Sequence, residues 1–167
     1  MSPDRPNVRA VFDCMVFLQG AARRESPAGV CLLLVELGAI ELCLSEEIVS
    51  EIRQVLTRPR VRQKFPALTD ALVGRFLRAL SKRAIHIKEV PYVFTYERDP
   101  KDAPYINLSI AAGASHLVSR DADILDLAAH GSREGEILRR QAPQLKIVDP
   151  VSFLAEMRRA LVAPGDL

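Results

Sequence analysis

The chain holds three cysteines in 167 residues, with no CxxC pair and no histidine close to any of them. That spacing excludes the usual tetrahedral zinc sites. Cys14, Cys31 and Cys43 are odd in number and lie in apolar surroundings, as expected for reduced, buried thiols of a cytosolic protein. Long apolar runs are also missing. VCLLLVELGAI is interrupted by Glu36 and Gly38, well short of the roughly 18 residues that a membrane span needs. The start, MSPDRPNVR, carries an acid and two prolines and does not read as a signal peptide. These absences lead us to expect a cytoplasmic protein that makes no membrane contact. There is no repeat, low-complexity tract or linker, so one domain over residues 1–167 is expected. A net charge of +2 supplies no steering field, and any nucleic-acid contact must come from local patches.

Apolar patterns alternate between strand and helix. VRAVFD (8–13) is a β-branched run ending at an acid. Ser26 and Pro27 open a helix through about Leu37, which Gly38 stops. AIELCLS (39–45) reads as a strand, and Ser45-Glu46-Glu47 starts a helix with the apolar stripe Ile48, Ile52, Val55 and Leu56, ended by Arg58-Pro59. A second helical pattern covers 69–82, and AIHIKEV (84–90) alternates as a strand. After a proline-containing loop come a helix over 103–113, strands at 115–121 and 145–150, and a closing amphipathic helix, VSFLAEMRRALV. Strands alternating with helices predict an α/β fold with a mainly parallel sheet covered on both faces. Ligands of such sheets bind beyond the carboxyl ends of the strands.

Four acids stand where apolar elements meet turns. Asp13 closes the first strand, either capping the next helix or ligating a metal at the strand tip. Glu51 borders the Ile48–Ile52–Val55 stripe, as a surface residue or as an acid reaching toward that tip. Asp102, three residues after Asp99, falls at or just before a helix whose first turn holds Pro104, so capping and metal binding are both open to it. Asp121 ends a strand and is followed by Asp123. The pair either opens the next turn or joins a cation site, with Ser119 able to hydrogen-bond a neighbouring carboxylate. Carboxylates converging on one point suit a hard divalent cation.

In this order, VFDCMVFLQ, LSEEIVSEIRQVLTRP and DPKDAPYINLSIAAGASHLVSRDADIL resemble the PIN domain, over residues 8–154. The similarity is to the branch described as toxin components of toxin–antitoxin systems. It implies a three-layer α/β/α fold and a Mg²⁺- or Mn²⁺-dependent endoribonuclease. On that resemblance Asp13, Glu51, Asp102 and Asp121 are the catalytic acids. Asp13, Asp102, Asp121 and Asp123 are the expected metal ligands, with Asp99 and Ser119 auxiliary. An antitoxin over the acidic cleft and a homodimer are the partners it implies. One departure is Met15, at a position where the family usually carries Asn; a thioether offers no donor and only a weak acceptor.

RNA would be met by Arg53, Arg58, Arg60, Arg62 and Lys64, followed by Arg75, Arg78, Lys82 and Arg83, unless this run is simply a solvated face. The same acids would serve a phosphatase or a DNA nuclease. Met15 raises the alternative of a catalytically degenerate module that binds RNA or a protein without cleavage. A phosphoacceptor receiver lacks a clearly placed lysine. His116 reads as a core or strand-face residue rather than a ligand; His86 and His130 are scattered. The C-terminal helix and the 68–80 helix are apolar enough to pack in the core or at a dimer face.

Overall fold

The computed structural model describes residues 8–129 and 131–161, so His130 and Val162 lie outside the described residues. β1 (Arg9–Phe12), β2 (Glu41–Leu44), β3 (Ile85–His86), β4 (His116–Val118) and β5 (Lys146–Val148) form one sheet in the order β3-β2-β1-β4-β5. Every pairing is parallel, and central β1 aligns Ala10 with Leu42 on one side and with His116 on the other. Connecting these strands are α1 (Cys14–Ala22), α2 (Pro27–Glu36), α3 (Glu46–Leu56), α4 (Pro59–Lys64), α5 (Asp70–Arg83), α6 (Ala103–Ala111), α7 (Ala122–Asp126), α8 (Arg133–Gln141) and α9 (Pro150–Leu161). The result is the parallel sheet covered on both faces that the alternation of patterns predicts, and the three-layer α/β/α arrangement that the resemblance implies.

Local chemistry sets these boundaries. Ser26, Ser45 and Thr69 each accept a backbone N–H three residues on, at 3.1, 3.2 and 3.2 Å. Such a cap is worth about 1 kcal/mol. Gly38 and Gly113, with φ of 70° and 60°, take the left-handed conformation that ends α2 and α6. Phe12 packs against Phe17 of α1 and Phe153 of α9, with ring centroids 5.9 and 6.2 Å apart. α1, α2 and α9 pack together, while α6 lies along β1, β2 and β4. Val73, Leu77 and Leu80 of α5, and Phe153 and Met157 of α9, are buried within the chain, so core packing uses both faces considered for a dimer.

Four elements depart from expectation. The strand predicted over 84–90 keeps only Ile85–His86, because after Ile87 N–H bonds Leu44 O the chain leaves the sheet edge. Residues 91–98 then run without regular structure toward the acidic segment. α4, α7 and α8 were not anticipated. α8, REGEILRRQ, is strongly charged and buries only Gly135 and Leu138. His116 is buried as expected, its ring edge-on to Phe153 and its Nε2 3.1 Å from Glu156 Oε1.

Candidate metal centre

β1 and β4 end side by side, and their tips are tied by the bond from Asp13 N–H to Val118 O at 3.0 Å. Asp13, 3% exposed, starts α1. Its Oδ1 accepts the Val16 N–H at 3.0 Å, while Oδ2 accepts the Ser119 hydroxyl and the Arg120 N–H, the latter at 3.1 Å. Burial nevertheless raises its pKa, helped by the nearby charge of Asp121 and opposed by those three bonds. The capping reading of Asp13 therefore holds, at the tip of β1. Met15 is 41% exposed on α1. The carboxylate before it is already fixed by Ser119 and two backbone amides, without help from position 15.

Ser119 joins acids from two neighbouring strand tips. It donates to Asp13 and accepts the Asp121 N–H at 2.9 Å. Asp121 in turn caps α7 through the Asp123 N–H at 2.8 Å, as the turn-opening reading anticipated.

Asp102 behaves differently. It closes a 3-10 turn over Pro100–Asp102 that leads into α6, with Pro104 in the first turn. Its side chain caps nothing. The residue is 6% exposed, and its Oδ2 has no hydrogen-bond partner. Burial, then the charges of Asp121, Asp99, Asp13 and Asp123, push its pKa up to about 7. A buried acceptor without a donor costs about 1–3 kcal/mol.

Asp99, which accepts the Lys101 N–H at 3.1 Å, completes the cluster. One oxygen each from Asp99, Asp102, Asp121 and Asp123 lies within 4.8 Å of the others. Asp13 is not one of these four, but its charge reaches both Asp102 and Asp121. An all-oxygen donor set with an orphaned buried carboxylate oxygen fits a hard divalent cation.

Glu51 stands apart from the four, with its Oε2 accepting the Tyr105 hydroxyl at 2.9 Å. Cys14 follows Asp13 directly in the chain. Burial, followed by the charges of Glu51 and Asp13, pushes its thiol up to about 12. Burial likewise raises the Tyr105 pKa. Of the basic run, Arg53, Arg58, Arg60 and Lys64 are exposed, whereas Arg62 is partly buried and paired with Asp70. Arg58 is close enough to influence Cys14 electrostatically. Lys64 lies over the Phe65 ring, 5.5 Å from its centroid.

Sequence reasoning missed the residues that brace this site. Asn107, fully buried in α6, accepts the N–H groups of Val93 and Phe94 through Oδ1, both at 2.9 Å. Its Nδ2 donates to Phe94 O and Ala103 O. A lone Asn in an alanine-rich apolar helix was the available signal. The 91–98 segment then places the Tyr96 hydroxyl on Asp123 O at 2.8 Å. Arg98 follows, with Nε 2.7 Å from Asp123 Oδ1 and Nη2 2.8 Å from Asp126 Oδ2.

No curated protein and no solved structure matches the chain. Residues 9–123 match the PIN domain family, a span that includes all four clustered acids together with Asp13, Glu51 and Ser119. With that match over most of its length, an all-parallel β3-β2-β1-β4-β5 sheet and acids gathered at the strand tips, the chain belongs to the PIN domain family, whose members are nuclease-type proteins that typically bind a divalent metal.

Proposed function

We propose that this protein is a metal-dependent endoribonuclease that hydrolyses RNA phosphodiester bonds. The observation that carries the proposal is the Asp102 carboxylate, buried with one oxygen unpartnered and surrounded by other acids. Asp102, Asp121 and Asp123 would hold Mg²⁺ or Mn²⁺, with Asp13 and Asp99 beside them. A cation bound there supplies a Lewis acid for the phosphoryl oxygen and a water acidic enough to attack near neutral pH. The chain's own part is preorganisation. Ser119 and the Arg120 N–H fix Asp13, Asp121 is fixed by its cap, and Glu51, held by Tyr105, would orient a water.

The exposed Arg53, Arg58, Arg60 and Lys64 would meet the RNA backbone, so affinity should fall as salt rises. We read the protein as the toxin of a toxin–antitoxin pair, with an antitoxin covering the acidic cleft. The hydrogen bonds that fix Asp13 without residue 15 argue against a degenerate site.

The test is cleavage of single-stranded RNA, single-stranded DNA and a phosphomonoester by the wild type and by Asp121→Asn. RNA cleavage that requires Mg²⁺ or Mn²⁺ and is lost in the variant supports the reading. Cleavage of DNA alone, release of phosphate alone, or no turnover by the wild type in either metal would contradict it.

A further inference from the structure

Among the described residues, Arg98 is the one arginine or lysine paired with an acid of the cluster. Its position is built by several contacts. Asn107 pins the backbone at Val93 and Phe94, and the Tyr96 hydroxyl bonds Asp123 O. Asp126 holds Nη2 at 2.8 Å while Nε meets Asp123 Oδ1 at 2.7 Å. The side chain is 53% exposed, so part of the guanidinium faces solvent beside the acids. A divalent cation held by Asp123 would stand beside the Arg98 guanidinium, and the two positive charges would repel each other across one carboxylate.

We propose that Arg98 is a cation-gated substrate-positioning residue. In the metal-free protein it neutralises Asp123. With a divalent cation on Asp123, Arg98 would stay tethered by Asp126 and turn the N–H groups that Asp126 does not hold to a substrate phosphate. A planar guanidinium suits that contact, because two of its parallel N–H groups can reach two phosphate oxygens. Asp126 is exposed and follows Asp123 by less than one helical turn, so the tether keeps the guanidinium at the rim of the site. The proposal rests on the metal-dependent nuclease reading and assigns a residue to its substrate contact.

This arrangement demands opposite effects on two ligands, which a merely structural brace would not give. Mn²⁺ is titrated calorimetrically into the wild type, Arg98→Gln and Arg98→Lys without RNA. Binding of a short single-stranded oligoribonucleotide is measured separately in Ca²⁺, with the strand checked for integrity. Removing the competing charge in Arg98→Gln should tighten Mn²⁺ by roughly 2–5-fold, the scale of one partly exposed ion pair. The same variant should bind RNA about tenfold more weakly, with a salt slope shallower by about one. Arg98→Lys should fall between wild type and Arg98→Gln on both axes.

Weaker or unchanged Mn²⁺ binding by Arg98→Gln, beside a wild type that binds the metal, would overturn the gating and leave the nuclease reading standing. Tighter Mn²⁺ with unaltered RNA affinity would overturn the phosphate contact. A wild type that takes up no Mn²⁺ would overturn both the proposal and the reading beneath it.

Discussion

Ser119 and Asp13 meet across the seam between β1 and β4: the serine hydroxyl donates to Asp13 Oδ2 and accepts the Asp121 N–H at 2.9 Å. One small side chain thus fixes the acid at each strand tip. Ser119→Ala removes the donor and leaves a buried carboxylate oxygen with only the Arg120 N–H. We expect a loss of about 1–3 kcal/mol in urea unfolding. Mn²⁺ affinity should also weaken, measured by calorimetry on the folded variant. Unchanged values in both would remove Ser119 from the site.

Asp102 makes the metal-free protein sensitive to pH. Its pKa in the folded chain is about 7 against an ordinary 3.8, so the folded state binds a proton that the unfolded state has released. Stability from this group is therefore greatest near pH 4, falls as pH rises through 7, and is flat above that. Asp102→Asn removes the charge that Asp121, Asp99, Asp13 and Asp123 oppose. Without metal, it should melt several degrees above wild type at pH 8, with the gain shrinking as pH is lowered to 5. The same variant should lose its stabilisation by Mn²⁺. A variant less stable than wild type at pH 8 in chelator would show that the carboxylate is not strained.

The same titration couples to binding. Cation uptake needs Asp102 ionised, so Mn²⁺ affinity should rise between pH 6 and 8, with protons released below pH 7. Calorimetric heats measured in buffers of different ionisation enthalpy check the proton count. Equal heats in all buffers at pH 6.5 would contradict a protonated Asp102.

Asn107 joins α6 to the segment that carries Tyr96 and Arg98 to the acids. Asn107→Leu leaves two backbone N–H groups and two carbonyls of this contact without the side-chain partner they have now. We expect a cost of roughly 2–4 kcal/mol, given the penalty for each buried group left unmet. Hydrogen exchange at Val93 and Phe94 should accelerate ahead of exchange in β1 and β4. Uniform protection across the chain would refute this bracing role.

Much of the fold was legible because its signals are local. Serines and threonines sit at helix starts, glycines at helix ends, and short apolar runs close on acids at the strand tips. The acids of the cluster, Asp99, Asp102, Asp121 and Asp123, were among those the family resemblance named, whereas Asp13 and Glu51, named with them, lie outside it. What escaped depended on the path of the chain between elements. The 84–90 pattern alternates like a strand, yet only two residues pair, because pairing requires a neighbour along the whole edge and β2 ends at Leu44. α8 has a start signal in Ser132, which accepts the Gly135 N–H at 3.0 Å, but almost no apolar stripe to reveal it. Arg98 lies one residue before Asp99 in sequence. Its partners Asp123 and Asp126 are set by how the 91–98 segment crosses α6 and α7, which spacing does not encode. Met15 suggested a weakened site, whereas the donors that hold Asp13 come from the helix backbone and from the far side of the sheet seam.

The most direct measurement is a crystal of the wild-type protein soaked in Mn²⁺ and recorded at a wavelength where manganese scatters anomalously. The account predicts one strong peak bounded by the carboxylates of Asp102, Asp121 and Asp123, with Asp13 within direct or one-water reach. An intact crystal at saturating Mn²⁺ with no peak between those oxygens, and Arg98 still seated on Asp123, would contradict it.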